Sequence, residues 1–292
     1  MISKISIGTA QFGLDYGISN QRGKVPFSDA ENIIELAYSR GIDKLDTASA
    51  YGKSEKVLGE IGVKNFKITS KIPTIPSDAE NINDFLVRTT ESSLVDLKID
   101  KFNCILVHDC YQFFQKKYHD EYIKALVDLK SSNLTTKIGL SVYDPLDDSI
   151  MRVIDHIDII QSSFNIFDQR LNQKDLVGAL NANNIEVQAR SIFLQGLLLI
   201  NNRMIPKKFN KWKSRFNDYH SWLDKNNYSA LSACLNFVIN NKNINEVIIG
   251  IDTPQQFIEI IESLSSEIIN IPKNFECDDH MLINPSYWDK IK

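Results

Sequence analysis

Four side chains of this 292-residue sequence carry chemistry that has meaning only if they meet. They are Asp46 and Tyr51 in "KLDTASAYG", Lys71 in "TSKIP" and His108 in "LVHD". Singly, Asp46 could cap a turn, Lys71 could be a solvated charge, His108 a core histidine and Tyr51 a packed loop aromatic. As a set they are an acid, a phenol, an ammonium and an imidazole. A free phenol titrates near pH ~10, too high for efficient proton exchange at neutrality, and an ammonium buried beside it favours the phenolate. An aspartate would hold that ammonium in place, and an imidazole could share the proton or aim a substrate oxygen at the phenol.

The elements that must position these groups can be read from the hydrophobic pattern. Short apolar, β-branched runs alternate with amphipathic stretches along the whole chain, which is the pattern of a parallel α/β fold. Strands are expected at 4–9, 42–47, 66–71, 103–108, 136–142, 157–163, 186–192 and 245–251. Helix starts are expected at a Ser28/Glu31 capping box, with Gly41 just past that helix's end, at Asp144-Pro145 and at Thr253-Pro254. Eight strands, each followed by a helix and with no linker between them, predict a single (β/α)8 TIM barrel domain over residues 1–292. Two segments break the rhythm: an overlong connection after strand seven (194–227) and a tail (270–292). In such a barrel, catalytic groups gather where strands end at their C-terminal edge. Asp46, Lys71 and His108 fall at the ends of strands two, three and four, with Tyr51 in the loop after strand two; Ser141 falls at the end of strand five, and Gln161 lies in strand six.

Taken in order, "LDTASAYGKSEKVLG", "TSKIP", "ILVHD", "IGLSVYDP", "IIQSSFNIFD" and "VIIGIDTPQQ" resemble the aldo-keto reductase superfamily over nearly the whole chain. The resemblance implies a barrel that binds NAD(P)H across its C-terminal face and reduces an aldehyde or ketone, or oxidises the corresponding alcohol. A sugar derivative is an expected substrate. It also implies a catalytic tetrad of Asp46, Tyr51, Lys71 and His108, with Tyr51 as proton donor. Ser141 and Gln161 match positions that hydrogen-bond the nicotinamide carboxamide. Gly8, Thr9, Arg190, Gly250, Asp252, Gln256 and Glu259 complete the expected cofactor contacts. The chain departs from the family at Val142, where asparagine is common, and at Arg190, where an aromatic often covers the nicotinamide.

Relatives that grip the 2′-phosphate of NADP place basic residues around the turn that here reads "GIDTPQQ", and Asp252 would repel a phosphate. NADH is therefore expected to bind at least as well as NADPH, unless Lys207, Lys208 or Lys211 fold over from the strand-seven connection. Thr253 and Gln256 read equally as a helix cap, and Glu259 as a solvated helix face. Phe12, Tyr16, Trp212, Phe216, Tyr219 and Trp222 are candidate substrate-facing aromatics, although aromatics in a long loop also form its own packing core.

Other functions are constrained by composition. The net charge is −4, with both signs interspersed and no basic stripe to follow a phosphate backbone, so nucleic acid is not expected as a partner. Neither a signal peptide nor an apolar span appears, which points to the cytoplasm and away from membranes. The four cysteines lack CxxC spacing and read as reduced thiols without a metal. A nicotinamide-nucleotide sensor or scaffold subunit with little turnover is the alternative function, and a lyase or epimerase on the same barrel a third.

Overall fold

A computed structural model describes residues 1–18, 20, 22–79, 81–115 and 118–291. Eight parallel strands form a closed barrel in sequence order. They are β1 (Ile5–Gly8), β2 (Lys44–Asp46), β3 (Lys67–Ile72), β4 (Phe102–Val107), β5 (Thr135–Val142), β6 (Ile159–Ser163), β7 (Glu186–Arg190) and β8 (Glu246–Gly250). All eight expected strands form, with ends within two residues of expectation. Closure is made by β1, which pairs Gly8 with Asp46 on one side and with Gly250 on the other. Parallel barrel strands are covered on both faces, and runs such as "NCILV" and "EVIIG" supply the continuous apolar character this requires.

Helices Phe27–Ser39, Ser54–Ile61, Ile82–Leu97, His119–Ser131, Lys174–Ala182, Ala230–Ile239 and Pro254–Glu262 form the outer layer. Two of the expected helix starts are corrected. Helix Phe27–Ser39 begins at an uncapped Pro26, so Ser28 lies inside its first turn and forms no capping box; Pro26 presets the entry geometry instead. Its end is as expected, with Gly41 left-handed at φ +79°. Asp144-Pro145 opens no α-helix. Asp144 Oδ1 accepts from the Leu146 amide and from Arg170, and the chain continues through the 3-10 turns Asp148–Arg152 and Ile154–His156. The ion pair outweighs the local helix signal. At Thr253 the expected cap forms: its side chain accepts from the Gln256 amide at 3.0 Å, and Gln256 Oε1 accepts from the Asp252 amide at 2.8 Å.

The overlong connection after β7 folds into 3-10 turns and the helix Lys213–Asn226. Together with the tail it builds a second apolar core, in which Phe209, Trp212, Phe216 and Tyr219 pack with Phe275, Leu282, Ile283 and Trp288. Asp279 accepts from both Lys211 Nζ (2.8 Å) and Trp212 Nε1 (3.0 Å), and Arg215 donates to the carbonyls of Asn274, Phe275 and Glu276. The tail is thereby pinned over one side of the barrel mouth. Among the described residues, no helix is long and apolar enough to cross a membrane.

Candidate active site

The first group in place is Asp46, the last residue of β2. Its carbonyl accepts from both the amide (2.9 Å) and the hydroxyl (3.0 Å) of Thr9, which ties the strand end to β1. The chain then turns, and Tyr51 is followed by Gly52 at φ +58°. A Cβ at Gly52 would stand 2.6 Å from the Gly13 carbonyl, and one at Gly13 would stand 1.8 Å from the Tyr51 carbonyl. The Tyr51 turn and the Gly13 turn touch backbone to backbone, and only glycines permit it.

Lys71 enters from β3 almost fully buried. Its ammonium is 2.6 Å from Asp46 Oδ1, 2.8 Å from the Thr47 carbonyl and 5.0 Å from the centroid of the Tyr51 ring. His108, one residue past β4, stands edge-on to Tyr51 with ring centroids 5.9 Å apart. The structure therefore brings all four expected residues together.

Their electrostatics are coupled. Burial pulls the Lys71 ammonium down, but Asp46 and Tyr51 outweigh it and hold the lysine above its ordinary value. Burial pushes the Tyr51 phenol up, and the Lys71 charge only partly offsets this. The expectation of a net-lowered phenol is thus corrected: desolvation wins, and Tyr51 is a neutral phenol at neutral pH. That is the form able to donate a proton. Burial, then the charges of Lys71 and Arg190, lower His108 to about 4, so its imidazole is neutral as well.

Two clefts meet at this cluster. One, of about 450 Å³, is lined by Asp46 and Tyr51 and, among the expected cofactor contacts, by Gly8, Thr9, Arg190, Gly250, Asp252, Gln256 and Glu259. The other, of about 540 Å³, is lined by His108 and Ser141, by Asp109, Tyr111, Tyr143 and Asp147 of the β4 and β5 loops, and by Asn284, Ser286 and Tyr287 of the tail. Both volumes lie in the range of small-molecule sites. Gln161 lines neither. Its Nε2 donates to Asp46 Oδ2 (2.8 Å) and to Gln188 Oε1 (3.0 Å), and Ser141 Oγ donates to its Oε1 at 3.4 Å. Arg190 donates to Ser163 Oγ and the Val142 carbonyl, and its guanidinium lies 4.6 Å from the Tyr143 ring centroid. Where an aromatic side chain was absent from the sequence pattern, a cation stacked on a tyrosine stands instead.

Of the substrate-facing candidates, Tyr16 lines the first cleft and its hydroxyl accepts from Gln195. Phe12, Trp212, Phe216 and Tyr219 are buried in the two cores, and Trp222 packs against the second of them. Several wall residues escaped sequence reasoning. Tyr143 was detectable, because it directly follows the end of β5. Gln11, Asn284 and Tyr287 had no local signal.

The chain matches the pattern of the Aldo/keto reductase family over residues 4–273 and belongs to that family. No curated protein matches it. Among solved structures, an aldo-keto reductase of Bacillus halodurans in its holo form is similar at a TM-score of 0.71 and 16% identity, covering 91% of this chain and 88% of that one. A Pseudomonas aeruginosa protein described as an aldo-keto reductase gives 0.65 and 20%, with 89% and 88% covered. At these identities the structures establish the shared fold. The family makes the protein an oxidoreductase that uses a nicotinamide cofactor on carbonyl compounds.

Proposed function

We propose that this chain reduces the carbonyl of a small hydroxylated molecule, such as a sugar derivative, with Tyr51 as the proton donor. The observation that carries the reading is the Lys71 ammonium, 2.6 Å from Asp46 and 5.0 Å from the Tyr51 ring, with His108 edge-on to the same ring. A carbonyl oxygen near Tyr51 and His108 would receive the phenol proton as negative charge develops on it. Lys71 stabilises the phenolate left behind, and Asp46 holds Lys71 in place. The neutral imidazole of His108 orients the oxygen without competing for the proton.

The residues of the first cleft fit a nicotinamide dinucleotide. Its floor at Gly8 and Gly250 is bare backbone, and a Cβ at Gly250 would stand 2.3 Å from Gln11 Nε2. At the end formed by Asp252, Gln256 and Glu259, the buried Asp252 Oδ1 has no hydrogen-bond partner. A ribose hydroxyl would satisfy it, whereas a 2′-phosphate brings no hydrogen and adds like charge. Gly8, Thr9, Gly250 and Gln256 would hold the cofactor's length, Arg190 its nicotinamide end and Asp252 with Glu259 its adenosine end. Of the two expected carboxamide contacts, Ser141 opens on the second cleft and Gln161 is buried, its oxygen accepting from Ser141 Oγ. When bound, the nicotinamide supplies the hydride that reduces the carbonyl carbon.

NADH is accordingly assigned as the partner bound at least as well as NADPH. Lys208 lies over Phe209 and Trp288, and Lys211 pairs with Asp279, so these two lysines of the strand-seven connection are engaged with their own loop and the tail. Among the described residues, the cation whose charge reaches Asp252 is Arg22, which is exposed and pairs with Asp29 at 3.5 Å. The second cleft supports the substrate assignment: carboxylates of Asp109, Asp144 and Asp147 would accept from its hydroxyls, and Tyr111, Phe114 and Tyr287 offer apolar faces.

The test is fluorescence titration with NADH and NADPH, followed by turnover of aldoses, hydroxyaldehydes and aromatic aldehydes by wild-type protein and Tyr51→Phe. General acid catalysis contributes ~10²–10⁴-fold, so the variant is expected to lose at least ~100-fold in turnover while binding cofactor normally. Tight cofactor binding with no turnover of any compound by the wild type would favour the sensor reading instead.

A further inference from the structure

Gln188 touches neither cleft, yet it is the next group on a hydrogen-bond line that begins at Asp46. Asp46 Oδ1 accepts from Lys71 at 2.6 Å, and Oδ2 accepts from Gln161 Nε2 at 2.8 Å. That same nitrogen lies 3.0 Å from Gln188 Oε1. All four side chains are buried in the barrel interior, and Gln161 and Gln188 face each other in the β6–β7 register.

The direction of both amides follows from donor and acceptor chemistry. An ionised carboxylate can only accept, so the Gln161 atom beside Asp46 must be its nitrogen. The second hydrogen of that nitrogen then needs an acceptor, so Gln188 must present its oxygen. The Gln161 oxygen is left to accept from Ser141 Oγ at 3.4 Å. If Gln161 turned over, it would set oxygen against carboxylate. Space filling alone would not select an amide here, because barrel interiors are normally filled by branched apolar side chains and a buried amide carries a desolvation cost.

We propose that Gln188 is a positioning residue for the reaction. By accepting the second amide hydrogen of Gln161, it fixes Gln161 as a donor to Asp46 and so holds the Asp46 carboxylate in its pairing with Lys71. This rests on the reading of Asp46, Lys71 and Tyr51 as a working set. Without the Gln188 oxygen, a hydrogen of Gln161 is orphaned in a dry interior. Turning the Gln161 nitrogen toward Ser141 then becomes competitive, and the turned amide pushes the carboxylate out of line.

The experiment is a double-mutant cycle with NADH and the best carbonyl of the panel both varied to saturation. Gln188→Leu is expected to lower kcat about tenfold while the KM for the carbonyl stays unchanged, about the size of one net hydrogen bond between neutral groups. In a Gln161→Leu background the same change is expected to add nothing, since Gln188 then has no amide to hold. Thermal midpoints read alongside confirm that the loss occurs in folded protein, and Gln188→Met replaces Gln188→Leu if the latter does not fold. A wild-type kcat in Gln188→Leu, or an equal loss with and without Gln161, would overturn the proposal. Tyr51→Phe measured in parallel separates the two readings. If that variant loses turnover while Gln188→Leu keeps it, the positioning role alone fails; if Tyr51→Phe keeps turnover, both fail.

Discussion

The two clefts that meet at Tyr51 and His108 are built by different means. The first has its floor at the ends of β1, β7 and β8, where Gly8 pairs with Gly250 across the closing seam of the barrel, and its walls in the connections after β1 and β7 and the helices Ala230–Ile239 and Pro254–Glu262. The second takes its walls from the β4 and β5 loops and from a tail that the second apolar core holds in place. Strand ends are set by the hydrogen-bond ladder of the whole barrel, whereas loops and tails can vary without disturbing it. The floor of the cleft assigned to the cofactor therefore belongs to the scaffold, whereas the cleft assigned to the substrate is built mostly of additions to it.

Lys71→Met strikes the cluster where the two clefts meet and should have the largest effect. Turnover is expected to fall at least ~100-fold, as for other proton-transfer groups, and stability by ~3–5 kcal/mol because Asp46 keeps a buried charge without its cation. Steady-state rates and urea melts check both halves, and an unchanged rate would reduce Lys71 to a filler.

His108 on the second wall sets a pH dependence. The folded protein keeps it neutral down to about 4, against an ordinary 6.5, so the unfolded chain takes up the proton first as pH falls. Its contribution is complete above pH 6.5 and is lost as pH drops toward 4, a change of about 3 kcal/mol. Glu246 opposes it: burial raises this carboxyl to about 7 from 4.5, so its contribution falls as pH rises through that window. Urea melts at several pH values should show His108→Gln losing only the rising component. Parallel curves for variant and wild type would contradict this assignment.

On the first wall, Asp252→Arg should tighten NADPH by ~1–2 kcal/mol and weaken NADH, which loses its ribose acceptor. Arg22→Ala sharpens the test, since a selective loss of NADPH binding there would identify Arg22 as the phosphate contact. On the second wall, Tyr287→Ala should raise the KM for the carbonyl about fivefold without altering the cofactor dissociation constant, as expected for a single aromatic contact. Equal effects on both ligands would mean that the two clefts do not divide their roles in this way.

Much of the site was legible because it follows strand ends. A strand buried on both faces must be an apolar run, and the first polar residue at its end is where a barrel exposes chemistry; Asp46, Lys71 and His108 satisfy that rule. The Thr253 cap was readable for a similar reason, since it depends on residues three apart. Ser28 misled because Pro26 had already set the helix entry, and Asp144 because its partner Arg170 lies 26 residues further on.

What the sequence by itself determined was therefore the set of elements and the identity of the polar groups that meet at the strand ends, both written in spacings of two to four residues. Only the tertiary structure decided that burial outweighs Lys71 at the Tyr51 phenol, that Arg190 stacks on Tyr143, that the tail walls a second cleft, and that Gln188 faces Gln161. Each of these depends on which distant residues barrel closure brings within a few ångströms, and on how much water that closure removes. No local pattern carries either quantity.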